Sequence, residues 1–502
     1  MKPTLLCIMD GVAIRNKPEG NAFYHAKTPN LNMLFEKYPK TLLEASGKEV
    51  GIPVGQMGNS EVGHMNIGAG RKIKQPLIII NEAINNNSFY NNETLVSAIK
   101  HSKTNKSRLH LLGLVSDGGV HSHMYHLFAL LRMAKQNKIK KVYIHVITDG
   151  RDTERAVILK YLKTLEDKIK EIGVGIIATI SGRYYIMDRD NKWDRTELGY
   201  NAVVKGNSPF YNNYKELIDD NYKKEIYDEF IKPGILDKKG LIKDNDSVII
   251  FNFRSDRLRQ IAMALTNRAE VSFETKKIDN LKLTTIFPIS SDVESSYAYE
   301  IPEIINDLGE YLAKNGISQL RIAETEKFPH VTYFFDGVKE ETFPKETKIL
   351  VPSPNVATYD LTPKMSALEI TKELLKVMKD YEFILLNFAN GDMVGLTGNF
   401  EAAVKAVETV DEQIGIIFEE VEKLGGLLVV TADHGNCDNM TGKWLKTHTT
   451  NPVPFLVCKE GLKLKRGKLG DIAPTILKLM NLEIPKEMTG SVLIEGKENA
   501  ES

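Results

Sequence analysis

Apolar positions along the chain fall into short, unbroken runs rich in Val and Ile that stop abruptly at polar residues. Thr4 to Met9 ends at Asp10-Gly11, Phe383 to Phe388 leads to Asn390 and Asp392, and Leu427 to Thr431 ends at Asp433-His434-Gly435. Continuous runs of this length predict strands buried on both faces rather than half-exposed ones. Helical spacing lies between them: Ile414, Ile417, Val421 and Leu424 share one face, and Gly425-Gly426 ends the pattern. The middle of the chain repeats the theme. Leu109 to Val115, Val142 to Ile147, Val174 to Ile180 and Val248 to Phe251 read as strands, and Leu127, Leu130, Leu131 and Ala134 as one helical face. This alternation predicts an α/β fold.

The runs differ in their polar endings. Those near the two chain ends finish in Asp and His; those in the middle finish mostly in Arg. The simplest architecture is one α/β domain built from both chain ends, residues 1–75 and 300–502, with a second α/β domain, residues 76–299, inserted in it. The boundaries are expected within Lys72 to Pro76 and Tyr297 to Pro302, each an irregular stretch with a proline.

Ligands of open α/β sheets bind at the carboxyl ends of strands. Three parallel strands would bring Asp10, Asp392 and Asp433-His434 together, and carboxylates so crowded call for a cation. His448, shortly before the run Val453 to Val457, can join them. A mixed Asp and His set favours Mn²⁺ or Zn²⁺ over Ca²⁺. Any one of these residues alone reads equally as a turn. In the middle domain Arg151, Arg183, Arg189, Arg254 and Arg257 lie at or just after strand ends. Their guanidinium forks suit a small, doubly anionic substrate. Asp152 and His121 share those loops and could move protons or hold hydroxyls.

Residues 51–71, GIPVGQMGNSEVGHMNIGAGR, carry six glycines, which predict a loop with unusual backbone angles or close approach to a ligand. The spacing is not that of a Walker loop. Ser60 sits at its centre, as a turn serine or as a nucleophile that a divalent ion would activate. His64 nearby reads as structural.

Composition narrows the function. The 502 residues carry 66 Lys+Arg against 66 Asp+Glu, so the basic excess of a general nucleic-acid binder is missing. No apolar run approaches the ~20 residues that span a bilayer, and Leu5 to Met9 is too short for a signal-peptide core. Three scattered cysteines, Cys7, Cys437 and Cys458, fit a reducing compartment. A soluble, cytoplasmic enzyme with no nucleic-acid or membrane partner is expected.

Longer strings carry a resemblance. They are GQMGNSEVGHMNIGAGR at 55–71, SDGGVHSH at 116–123, DGRDT at 149–153, SGRYYIMDRD at 181–190, RIAETEKFPHVTYFF at 321–335, and TADHGN and THTTNPVP toward the C-terminus. Over essentially its whole length the chain resembles the cofactor-independent phosphoglycerate mutases of the alkaline-phosphatase-like superfamily. The resemblance implies exchange of 3-phosphoglycerate and 2-phosphoglycerate in glycolysis, without bisphosphoglycerate, through a phosphoserine at Ser60. It implies two divalent ions, Mn²⁺ foremost: one on Asp10, Ser60, Asp433 and His434, the other on Asp392 and His448. His121, Arg151, Asp152, Arg183, Arg189, Arg254 and Arg257 would bind the substrate, with Asp152 also catalytic, and Lys327 would neutralise the transferring group. A monomer is implied.

The chain departs from the family text at Leu396, where a metal-binding histidine is usual, and at Gly391, where proline is usual. Smaller departures are Val12-Ala13, Ser255 and Ile286 to Ser290. Leucine cannot ligate a metal, so two alternatives stand beside the mutase. One is an impaired member that binds phosphoglycerate or metal without turnover; the other is a metal-dependent phosphatase.

Overall fold

A computed structural model of the chain describes residues 2–254, 256–266, 268–290 and 293–495. Ser255 and the tail from Lys497 lie outside the described residues. The chain forms two compact units, Met1–Gln75 with Glu303–Ser502, and Pro76–Pro302.

The unit built from both chain ends holds an eight-stranded sheet. Its strands run in the spatial order Glu346–Val351, Gln319–Glu324, Phe383–Phe388, Thr4–Met9, Leu427–Thr431, Val453–Val457, Lys40–Glu44, Gly467–Lys468. The three runs read as buried strands sit together at its centre, parallel, with Met9 beside Phe388 and Ile8 beside Thr431. Every residue of Thr4–Met9 and of Phe383–Phe388 is buried, as expected of parallel strands covered on both faces. The long helix Phe400–Lys423 covers part of the sheet with Val407, Val410, Ile414, Ile417 and Val421. Asn399 caps it by accepting from Ala402 N, and Gly425 ends it at φ +63°.

The Pro76–Pro302 unit has a seven-stranded sheet in the order Gly234–Ile235, Ile176–Gly182, Val142–Thr148, Leu109–Leu114, Ser247–Ile250, Lys282–Thr285, Ser296–Tyr297. All neighbours are parallel except Gly234–Ile235. The strand expected over Val174 to Ile180 runs instead from Ile176 to Gly182, because Gly173 and Gly175 hold positive φ before it. Three strands of this sheet share a buried polar chain: Asp246 Oδ2 to His110 Nε2, 3.0 Å; His110 Nδ1 to His145 Nε2, 2.9 Å; His145 Nδ1 to Thr179 Oγ1, 2.9 Å. Among the described residues no helix is long and apolar enough to cross a membrane.

Candidate metal centre

The parallel register of the central strands delivers Asp10 and Asp433 to one end of the sheet. Asp392 joins them from the short helix Asn390–Gly395 that follows Phe383–Phe388. Lys327 ends the single turn Thr325–Lys327 after Gln319–Glu324.

Ser60 does not sit in a loop, as the six glycines suggested. It is the first residue of the helix Ser60–Ala69, which Asn59 caps by accepting from Val62 N at 2.9 Å. Within the glycine-rich string only Gly51, Gly55 and Gly70 take positive φ. Gly63 and Gly68 are helical and serve close approach: a Cβ would lie 2.7 Å from Asp433 O at Gly63 and 1.9 Å from Phe335 O at Gly68.

The Ser60 hydroxyl is the hub of the site. Its Oγ lies 2.7 Å from Lys327 Nζ, 3.0 Å from His434 Nε2 and 3.1 Å from Asp10 Oδ1. The Lys327 ammonium also bridges Asp10 Oδ1 at 2.9 Å and Asp392 Oδ2 at 2.6 Å. All of these groups are buried. Burial alone would neutralise them; their mutual attraction reverses that. Burial raises Asp10 and Asp392, but Lys327 overcomes it and holds both well below the usual carboxylate range. Burial likewise disfavours the Lys327 ammonium, and Asp10, Asp392 and Asp433 push its pKa above the usual value. For His434, burial is outweighed by Asp433, the hydrogen bond to Asp10, and Asp392, which raise it to about 10 from 6.5.

Two groups of side chains bring ligand atoms within 4.8 Å of one another, Asp392 with His434 and His448, and Asp10 with His64 and Asp433. Hydrogen bonds decide which nitrogens are free to ligate. His434 Nδ1 pairs with Gly435 O at 3.1 Å and His448 Nδ1 with Gly58 O at 2.9 Å, so each presents Nε2 inward. His64 is committed at both ends, Nδ1 to Ser60 O at 2.8 Å and Nε2 to Asn387 Nδ2 at 3.0 Å. His434 Nε2 stands 3.0 Å from Ser60 Oγ and 3.4 Å from both Asp10 Oδ1 and Asp433 Oδ2. Ligand atoms about 2.0–2.1 Å from a tetrahedral ion lie about 3.3–3.4 Å apart. Asp433 Oδ2 is buried without a hydrogen-bond partner, as a carboxylate oxygen meant for a cation would be. Asp10, Ser60, Asp433 and His434 therefore fit a divalent ion. The second pair, Asp392 Oδ1 and His448 Nε2, is 3.1 Å apart. Leu396 closes the turn of helix after Asp392, its N–H bonding Asp392 O at 2.9 Å, and adds no ligand.

The Pro76–Pro302 unit gathers the arginines. Arg183 is buried and holds Asp149 Oδ1 at 2.8 Å and Asp152 Oδ2 at 2.7 Å. Asp256 draws Arg189 to 2.9 Å, Arg254 to 3.6 Å and His121 Nδ1 to 4.0 Å. Arg151 is more exposed and faces Glu229 at 3.5 Å. Burial, then its arginine neighbours Arg189 and Arg183, lower Arg257. Burial and Arg183 push His121 down to about 4, leaving a neutral imidazole whose Nδ1 has no hydrogen-bond partner.

Three supporting residues escape a reading by strand ends. Asn387 Nδ2 donates to Asp10 Oδ2 at 2.8 Å, Asn436 Nδ2 to Asp392 Oδ1 at 2.8 Å, and Asp438 accepts from Thr449 and Asn451, just after His448. The local signal for Asn387 was an amide inside an otherwise apolar strand; for Asn436 and Asp438 it was only nearness to Asp433-His434.

The chain matches the family described as Metalloenzyme superfamily over residues 2–484. It is 48% identical over 501 residues to the 2,3-bisphosphoglycerate-independent phosphoglycerate mutase of Staphylococcus epidermidis RP62A, covering 98% of this chain and 99% of that protein. It is 50% identical over 507 residues to the enzyme of that name from Clostridium botulinum, with the same coverage. A crystal structure of Leishmania mexicana phosphoglycerate mutase at low cobalt concentration superposes with a TM-score of 0.71, at 29% identity, over 99% of this chain and 98% of that one. A serine, a lysine and two carboxylate–histidine groups converging at one sheet end are thus carried on a chain that, by near full-length identity, belongs to the 2,3-bisphosphoglycerate-independent phosphoglycerate mutase family of the Metalloenzyme superfamily.

Proposed function

We propose that this chain interconverts 3-phosphoglycerate and 2-phosphoglycerate without bisphosphoglycerate, by moving the phosphoryl group on to and off Ser60 Oγ. The observation that carries the reading is the setting of that oxygen, 2.7 Å from the Lys327 ammonium and 3.1 Å from Asp10, at the first residue of a ten-residue helix. Names borne by relatives at 48% and 50% identity support the substrate.

In this reading two divalent ions, Mn²⁺ by choice of donors, sit on Asp10, Ser60, Asp433 and His434 and on Asp392 and His448. When bound they polarise phosphoryl oxygens and lower the pKa of coordinated hydroxyls. The chain's own residues do the rest. As the Ser60 Oγ–P bond forms and the glycerate O–P bond breaks, the serine proton leaves Oγ, where Asp10 Oδ1 accepts its hydrogen bond, and the glycerate oxygen gains a proton. Lys327 meets the negative charge spread over the transferring group, which is greater in flight than at rest. The helix N-terminus at Ser60 favours the resulting phosphoserine. In the arginine-rich unit, Arg151, Arg183, Arg189, Arg254 and Arg257 take the carboxylate and phosphate of the glycerate, and His121 and Asp152 its hydroxyls. The buried, unpaired Cys7, Cys437 and Cys458 support a reducing, cytoplasmic setting, and the reading takes the working form as a monomer.

The test is turnover of 3-phosphoglycerate to 2-phosphoglycerate, without bisphosphoglycerate, across a Mn²⁺ titration of this chain and of Leu396→His, with released phosphate measured in parallel. Isomerisation by the chain as it stands is the expected result. Phosphate release without isomerisation would make it a phosphatase. Turnover by the Leu396→His variant alone would mean that the second pair does not work with leucine beside it.

A further inference from the structure

Resting on the two-ion reading, we propose that Asn436 is the third protein ligand of the Asp392–His448 site, giving its amide oxygen where Leu396 has none to give. That site otherwise has two ligand atoms, because His434 Nε2 is engaged by Ser60, Asp10 and Asp433 at 3.0–3.4 Å. The Asn436 amide already stands at the place. Its Nδ2 is 2.8 Å from Asp392 Oδ1, and that oxygen is 3.1 Å from His448 Nε2. The second contact of Nδ2 is to Asp392 O at 3.2 Å.

The other end of the same amide is anomalous. Asn436 is 1% exposed, and its Oδ1 has no hydrogen-bond partner. Oδ1 rests against Gly395, where a Cβ would come within 2.5 Å of it. A buried amide oxygen without a donor needs a reason. Oxygen and NH₂ ends of an amide are nearly the same shape, so the cavity that holds one orientation holds the other, and charge decides between them. Alone, the Asp392 carboxylate draws the NH₂ end. With a divalent cation on Asp392 and His448, the oxygen end faces the charge instead. The half-turn gives up the two hydrogen bonds to Asp392 but none at the Oδ1 end, which has none. Amide oxygens are accepted ligands of hard and borderline divalent ions. Gly395 provides the room for the turn, and the Asn436 backbone is anchored, N to Gly11 O at 2.9 Å.

The experiment counts Mn²⁺ held by the full chain in equilibrium dialysis with elemental analysis, without substrate. The proteins are the parent, Asn436→Ala, Asn436→Asp, Leu396→His, and Leu396→His combined with Asn436→Ala. The parent is expected to hold two ions. Asn436→Ala should weaken the second by at least about tenfold and leave the first unchanged. Asn436→Asp keeps an oxygen but loses the NH₂ donor, so it should hold the second ion at least as tightly as the parent. The double variant should regain the ion through the new histidine. An Asn436→Ala protein within twofold of the parent at the second site overturns the assignment. So does weakening by Asn436→Asp, which would make the residue a donor that merely steadies Asp392, and so does failure of the double variant to regain the ion. A parent that holds one ion, and two only as Leu396→His, also overturns it while sparing the first site. A parent that holds none overturns the two-ion reading itself.

Discussion

At the scale of single residues the site is built from charges that could not be buried separately. Lys327 lies between two carboxylates and on the serine oxygen, at 2.6–2.9 Å from each partner. Its replacement by methionine keeps the length and removes the charge. Lys327→Met should lower kcat by about 10²–10³-fold, the order seen when one donor to a developing anion is lost. A coupled assay for 2-phosphoglycerate reads it, and an effect confined to KM would show that Lys327 only binds substrate. Ser60→Ala removes the acceptor oxygen. Turnover should fall to background, and the mass increment of a phosphoserine trapped by acid quench should vanish. If the variant turned over at a tenth of the parent rate or better, the transfer would not pass through Ser60.

At the scale of elements the helix Ser60–Ala69 shows how weak local preference yields to packing. Two glycines, Gly63 and Gly68, stand in its interior, each less favourable there than alanine by about 1 kcal/mol. The sequence reads such a stretch as loop, and the structure makes it helix, because only a missing Cβ lets it approach the Asp433 loop and Phe335. Gly63→Ala improves the helix but sets a methyl 2.7 Å from Asp433 O and 2.8 Å from Asp433 Cβ. Backbone cannot give way as a flexible side chain can. The variant should lose about 1–3 kcal/mol in urea unfolding, together with Mn²⁺ affinity, since Asp433 would be displaced. Unchanged stability and metal binding would mean that the two elements are not pressed against each other. The strand elements behave oppositely. Thr4–Met9, Phe383–Phe388 and Leu427–Thr431 were legible because burial on both faces demands apolar side chains at successive positions.

At the scale of the whole molecule, acid should weaken the Pro76–Pro302 unit. Burial, then the neighbouring His110, hold His145 well below its ordinary 6.5. Burial, then His123, hold His126 at about 3, its Nε2 facing Asn81 Oδ1 at 2.8 Å. These are depressed histidine values, so below pH 6.5 the unfolded chain binds protons that the folded chain refuses. Stability is then full above about pH 7 and falls as pH drops below 6.5. The further the pH falls below 6.5, the more stability each such histidine withdraws. Trp193 lies in this unit and Trp444 in the other. Urea unfolding followed by Trp193 fluorescence in a Trp444→Phe protein should show a lower midpoint at pH 5.5 than at pH 8. His145→Gln and His126→Gln should each remove part of the difference. A midpoint that does not move would show that these histidines accept protons in the folded unit.

By itself the sequence determined what is local. Apolar runs, the helix face from Ile414 to Leu424, and the chemistry at each run's end are properties of a few consecutive residues. Asp10, Asp392, Asp433, His434 and His448 could therefore be named as a candidate set, and the α/β class with them. Leu396 could be marked as a missing ligand only through the family resemblance, which implies a metal-binding histidine at that position. Only the tertiary structure decided which groups share an atom's surroundings. Ser60 meets His434 across 374 residues, Asn387 reaches Asp10 across 377, and His110 and His145 join only through the register of two parallel strands. Whether His64 presents a free nitrogen depends on Ser60 O and Asn387, and the unpaired oxygen of Asn436 depends on what surrounds it after folding. Burial makes these contacts strong, and burial of a polar atom is settled by distant segments closing over it, not by its neighbours in the chain.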